Sequence, residues 1–168
     1  MQQYVQQVRA RDDQQWVQDL VQQGFANRNE TIFIDTPEWI MCSNIHAGVD
    51  DRYLVVFKDQ RLRTVRDLRG SDVDMLLSMN KRVREFLRKT HPLVANKFKI
   101  FFHYLPSVFQ LHAHVSTKRL AFNMNRRQPL ACVVRNLLFD DQYYKHALIL
   151  TSVQRCLRQQ HIYSLLEQ

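Results

Sequence analysis

The segment HYLPSVFQLHAHV, residues 103–115, carries the most information in this 168-residue chain. After Pro106 the residues alternate: Gln110, His112 and His114 fall on one side of an extended chain, and Leu111, Ala113 and Val115 on the other. A strand has that period of two, because successive side chains point to opposite faces of a sheet. The apolar set belongs in a core, so the polar set lines the other face. Same-face neighbours along a strand lie about 7 Å apart, close enough for two imidazoles to contact one phosphate and the oxygens beside it. A neutral imidazole is a competent nucleophile near neutral pH. Attack on phosphorus would split one hard displacement into two easier ones through a phosphoramidate. The same HxH pair has two other readings: a metal site, which would want a third ligand such as His103, or a hydrogen-bonded structural pair.

Working outward, residues 97–104 (KFKIFFHY) begin by alternating basic and apolar residues, as a strand with one wet face does. Residues 31–35 and 39–43 read as short strands about a turn at Pro37, and residues 52–57 as a more fully buried third. Ser71 followed by Asp74 resembles a capping box opening a helix with Val73, Leu76, Leu77, Val83, Phe86 and Leu87 on one side, ended by His91-Pro92. A helix near 130–138, a strand over 146–152 and a helical tail holding Leu157, Ile162, Leu165 and Leu166 follow. Near the start, Asp12 or Asp13 could cap a short helix carrying Trp16, Val17, Leu20 and Val21 and closing near Gly24. Interspersed helices and consecutive strands predict an α+β domain around a mainly antiparallel sheet. A hydrophobic content of 45% is enough for one core, so a single domain over residues 1–168 is expected.

The net charge of +8 and a pI near 9.7 suit an anionic partner without choosing among RNA, a nucleotide and a membrane surface. Only Gly24, Gly48 and Gly70 occur, none in a glycine-rich loop, which excludes a P-loop or a dinucleotide-binding fingerprint. Phosphate must then be held by side chains or helix ends. No apolar run is long enough to span a membrane, and the polar start does not suit a secretory signal. Cys42, Cys132 and Cys156 are odd in number without paired spacing, as expected of reduced thiols in the cytoplasm or nucleus. Lys81, Arg82, Arg84, Arg88 and Lys89 read as the solvated face of a helix. Lys118, Arg119, Arg126 and Arg127 follow the motif directly; they are either another solvated patch or a guide for RNA phosphates.

HYLPSVFQLHAHV resembles the histidine-triad signature as it stands in the catalytic carboxy-terminal domain of the scavenger mRNA decapping enzymes, HYLPS lead-in included. Further pieces agree in order: QWV at Gln15–Val17, the Asp50–Leu54 segment, RDL at Arg66–Leu68, and LACVVRNL at residues 130–137. The resemblance spans residues 13–151. It implies a histidine-triad-like (HIT-like) fold, a homodimer, no cofactor and no metal in the chemical step. The implied reaction is hydrolysis of the 7-methylguanosine triphosphate cap of short RNA fragments, releasing 7-methylguanosine monophosphate through a nucleotidyl-histidine intermediate. His112 matches the nucleophile and His114 the last histidine of the triad. His103, Ser107 and Arg126 match phosphate-site positions, and Trp16 matches the tryptophan that stacks on the methylated base. That stacking is physically sensible, since an indole face attracts a base made cationic by methylation. Core packing on an amphipathic helix is the other reading of Trp16. Ile45, with Asn44 and His46 beside it, falls where the second face of the base would be covered, and Trp39 reads as core.

The departures are specific. Gln110 stands where the family has its first histidine; glutamine both donates and accepts, so retuned or reduced activity is expected. Val108 replaces an aromatic hydroxyl. Asp35 falls where the family has a base-reading glutamate, and is otherwise a turn residue before Thr36-Pro37. The family's amino-terminal domain has no counterpart, so a more open site is expected. Two alternatives stand beside cap hydrolysis: a histidine-triad hydrolase of other nucleotide polyphosphates, and a catalytically weak cap-binding protein.

Overall fold

The computed structural model describes residues 30–44, 53–117 and 127–149. Six strands form one sheet: β1 (Ile32–Asp35), β2 (Trp39–Ser43), β3 (Tyr53–Phe57), β4 (Lys99–His103), β5 (His112–Ser116) and β6 (Arg127–Pro129). Their order is β1-β2-β3-β5-β4-β6, with every neighbouring pair antiparallel. This is an α+β fold around an antiparallel sheet, as the sequence leads one to expect.

The register explains which face is buried. Trp39, Met41, Tyr53, Val55, Phe57, Ile100, Phe102, Ala113 and Val115 belong to the main core. Against them pack Leu76, Met79, Val83 and Leu87 of helix α1 (Val73–Thr90) and Leu130, Val133 and Leu137 of helix α2 (Leu130–Phe139). The opposite face carries a smaller apolar cluster of Ile40, Cys42, Leu54 and Val56, with Val108 packed on it. Burial holds the Cys42 thiol up at about 12, with the charge of Glu30 adding to the effect, so this cysteine is an apolar floor residue and no nucleophile. No helix among the described residues is long and apolar enough to cross a membrane.

Several expectations need correcting. The start of α1 does not use Ser71 with Asp74; the Asp72 carboxylate instead accepts from the Arg69 backbone N–H at 2.8 Å, closing a 3-10 turn over Gly70–Asp72 ahead of the helix. The buried stripe of α1 takes Met79 in place of Leu77, because Met79 continues the three- and four-residue spacing from Leu76 to Val83 while Leu77 is turned outward. Strand β6 was not foreseen. The strand expected over 146–152 is not found in its described part: Tyr143–His146 is a one-turn helix and residues 147–149 are irregular. Arg66 Nη1 donates to the carbonyls of Tyr144 (3.0 Å) and Ala147 (2.8 Å), which takes those acceptors away from any ladder. Arg66 Nε also donates to the Tyr104 hydroxyl at 2.9 Å, so the RDL and HYLPS pieces meet in a structural clamp. The helix expected over residues 12–24, the segment 118–126 and the carboxy-terminal helical tail lie outside the described residues.

Candidate active site

His112 and His114 both point to the face opposite the helices. Paired positions of neighbouring strands share a face, and the pairs Asp35↔Ile40, Ile40↔Val56 and Val56↔His112 form one row running across the sheet. On the far side of β5, continuing the β4–β5 register one residue past Phe102↔Ala113 brings His103 level with His112, and His103 pairs with Arg127 of β6. A second row runs Cys42, Leu54, His114, Phe101 and Pro129. The imidazoles converge more closely than strand spacing alone suggests: ring centroids are 5.3 Å apart for His112 and His114, and 4.3 Å for His103 and His114. Phe101 stacks on His114 at 5.4 Å with planes 8° apart, and the Arg127 guanidinium lies 4.7 Å from the Phe101 ring centre.

The tautomer of His112 follows from its partner. Nδ1 lies 2.8 Å from the backbone carbonyl oxygen of Gln110. A carbonyl can only accept, so Nδ1 carries the proton and the neutral ring keeps its lone pair on Nε2. Burial lowers the His112 pKa from 6.5 to about 4, the nearby His114 pushes the same way, and the bond to the Gln110 carbonyl opposes both. His112 retains partial solvent contact. The ring is therefore neutral, and its Nε2 available, throughout the neutral range.

Gln110 precedes β5 by two residues and is buried. Its Nε2 donates to the carbonyls of Phe57 (2.7 Å) and Asp59 (2.9 Å), tying the loop ahead of β5 to the end of β3. It meets His112 through its own backbone carbonyl. Gln110→Ala should therefore act on stability: the Phe57 and Asp59 carbonyls lose the Gln110 amide, Asp59 keeping the Leu62 N–H, at a cost of about 1–3 kcal/mol in urea denaturation. An unchanged unfolding midpoint would remove this strut role.

Asp35 ends β1, and its carboxylate pairs with Lys58 Nζ at 2.7 Å. The turn that follows is held by Thr36, whose hydroxyl accepts from the Trp39 N–H at 2.9 Å and donates to the Trp39 carbonyl at 2.8 Å. Asp35 is thus not the turn-forming side chain; it sits on the face of His112. Three strand spacings, about 14 Å, separate the two positions. Ser107 is exposed in the loop between β4 and β5, and Asn44 follows β2 directly, half-buried. Trp39 is core, 1% exposed. Trp16, Ile45, His46 and Arg126 lie outside the described residues. Among the described residues no group of three or more His, Cys, Asp or Glu is placed to hold a metal ion. Lys58, Phe101 and the Ile40–Val56 floor were not singled out from sequence, because Lys58 joins the site through its ion pair with Asp35 and the others through lateral strand pairing. A cavity of about 760 Å³ lies between α1 and α2 at the sheet edge, away from the imidazoles; Phe101 and Arg127 stand on its border.

The comparisons agree with this architecture. In fold, the chain resembles the aprataxin ortholog Hnt3: a complex of that protein with DNA matches with TM-score 0.54, 13% identity and coverage of 93% of this chain and 98% of the other. Hnt3 from Schizosaccharomyces pombe matches with TM-score 0.51, 12% identity and coverage of 89% and 90%. This defines a histidine-triad fold. The family model described as "Scavenger mRNA decapping enzyme C-term binding" matches residues 12–128, and the chain belongs to that family. It is 32% identical over 80 residues to the m7GpppX diphosphatase of Caenorhabditis elegans, covering 48% of this chain and 24% of that protein. It is 29% identical over 103 residues to the mouse enzyme, Mus musculus, covering 58% and 30%. The matched part thus spans less than a third of either relative.

Proposed function

We propose that the chain hydrolyses the 7-methylguanosine triphosphate cap of short RNA fragments, with His112 as the nucleophile. One observation carries the reading: the Gln110 carbonyl fixes the His112 proton on Nδ1, leaving Nε2 as a nucleophile on the face opposite the helices, beside His114 and His103. Nε2 forms a bond to phosphorus as the bond from phosphorus to the bridging oxygen breaks. A nucleoside diphosphate departs, already a stable anion at neutral pH, so little proton donation is needed. Water then attacks phosphorus, the N–P bond breaks, a proton passes to solvent, and 7-methylguanosine monophosphate leaves. His114, His103, Ser107 and Arg126 are assigned to the phosphate oxygens. Trp16 is assigned to one face of the base, and Ile45, flanked by Asn44 and His46, to the other. Asp35 would accept from the N–H donors of guanine, since a carboxylate can serve Lys58 and a ligand at once. The apolar floor of Ile40, Val56 and Val108 lies between the base and phosphate ends. The protein is expected to work as a homodimer in the cytoplasm or nucleus.

The pairing of Asp35 with Lys58 also favours a second reading, in which the base is not read and other nucleotide polyphosphates are substrates. Cleavage of methylated and unmethylated cap dinucleotides separates the two. A cation–π contribution of about 1–2 kcal/mol from Trp16 corresponds to roughly a five- to thirtyfold preference for the methylated cap. Trp16→Ala should erase most of it. Equal kcat/KM for both caps in the unaltered protein would refute cap specificity and leave a general nucleotide hydrolase.

A further inference from the structure

We propose that the cavity between α1 and α2 is a docking groove for an acidic amphipathic segment of another protein, separate from the site of His112. The reaction at that site does not enter the argument. The groove holds about 760 Å³ and lies at the sheet edge beside β4. Its walls follow from helical spacing. Leu77, Asn80 and Arg84 stand three and four residues apart on α1, and Ala131, Val134, Arg135 and Leu138 keep the same spacing on α2, so each helix turns one stripe toward the groove. Leu77 and Leu138 are 47% and 70% exposed, although Leu76, Leu87, Leu130 and Leu137 of the same two helices are buried. Both walls therefore offer apolar surface to an occupant.

The charge around that surface says what fits it. Arg84, Lys99 and Arg135 line the groove, Arg127 stands at its border, and no Asp or Glu is among the lining residues. Among the described residues no ion pair engages Arg84, Lys99 or Arg135. The pKa of Arg84 is lowered, first by burial and then by Arg88 one turn along α1. Cations gathered beside apolar surface favour an occupant that is acidic and apolar at once. The other occupants at hand fit less well. A second copy in a two-fold contact would bring the same cations face to face, on a chain of net charge +8. Residues 150–168 carry Arg155 and Arg158 against Glu167 alone, and residues 1–29 balance Arg9, Arg11 and Arg28 with Asp12, Asp13 and Asp19, so neither is acidic. RNA matches the charge, but single strands want exposed aromatic platforms, and Phe101, the ring among the lining residues, is 3% exposed. An acidic helix with large aliphatic residues on one face meets both the leucines and the cationic rim.

The test uses the full chain and fluorescein-labelled synthetic peptides of about four helical turns. The first carries leucines at i, i+3, i+4 and i+7 with glutamates elsewhere. A second has lysine in place of glutamate, and a third has serine in place of leucine. Fluorescence anisotropy should show saturable binding of the first peptide alone, weakening as salt is raised. Lys99→Glu combined with Arg135→Glu should raise its Kd by about ten- to a hundredfold, and Leu138→Asp by about tenfold. Lys89→Glu, on α1 but outside the groove lining, should leave it nearly unchanged. All four substituted side chains are exposed, so the fold should persist, with the same far-UV circular dichroism in every variant. A serine peptide that binds as well as the leucine peptide would reduce the face to a cationic patch and overturn the proposal. So would the absence of saturable binding, or binding indifferent to the groove substitutions. A dimer in sedimentation velocity that Leu138→Asp dissociates would overturn it by giving the groove to a second copy. Tighter binding of a short uncapped oligoribonucleotide, abolished by the same substitutions, would overturn it in favour of RNA.

Discussion

His112→Asn should lower cap hydrolysis by about three orders of magnitude or more, the scale of removing a covalent nucleophile while the binding groups stay in place. Asparagine is the informative replacement because its amide can still donate to the Gln110 carbonyl that Nδ1 now serves. The fold and nucleotide binding should therefore persist, and release of 7-methylguanosine monophosphate is the quantity to follow. Turnover near that of the unaltered protein would overturn the mechanism. Chelator should leave activity unchanged; loss on chelation with recovery on zinc addition would favour the metal reading of the HxH pair. The acid side of the pH profile gives a further check. With His112 lowered to about 4, the acid limb of kcat/KM should lie well below 6.5. Stability follows the same group. The unfolded imidazole binds a proton as pH falls through 6.5, whereas the folded one waits until about 4. The unfolded state therefore holds more protons in that window, so stability declines between those values as pH falls, and His112→Asn should remove that part of the decline.

The second large effect is expected at Trp39, and it is of a different kind. The side chain is 1% exposed in the main core, with the Arg82 guanidinium 5.6 Å from the ring centre. Trp39→Ala should cost about 3–5 kcal/mol through lost burial and the cavity left behind. That is a large share of the roughly 5–15 kcal/mol that stabilises a typical domain. Urea denaturation should show it as a much lower midpoint. The substitution should leave the preference for methylated caps intact in whatever fraction remains folded. A stable Trp39→Ala protein that had lost cap preference would move the stacking role from Trp16 to Trp39.

Much of the fold was legible because it rests on local periodicity. WIMCS and YLVVF, with HAHVS, became strands at the expected places, and the alternation through residues 111–115 put Leu111, Ala113 and Val115 in the core and left both imidazoles on the other face. What escaped depends on partners distant in the chain. Strand β6 is three residues ending in proline, and exists through pairing with β4. The run over residues 146–152 reads as a strand, but Arg66, some eighty residues earlier, takes the carbonyl of Ala147 and that of Tyr144 just before the run. In the candidate site, the two imidazoles were visible as a motif. The row joining Asp35, His112 and Arg127 was not, since lateral alignment is a property of register between strands, which no single segment encodes.

The hydrogen bond that sets the His112 tautomer bears on how freely this site can change over evolutionary time. Its acceptor is the main-chain carbonyl of position 110, a group that all twenty residue types possess, proline included. Exchanging histidine for glutamine at that position alters the side chain that braces the preceding loop, yet the acceptor facing Nδ1 is still supplied. The tautomer of His112 is thus insulated from side-chain drift at its nearest neighbour. A lineage can vary the first position of the triad, and tune the stiffness of the loop through it, while the direction of the reactive lone pair is inherited with the path of the backbone.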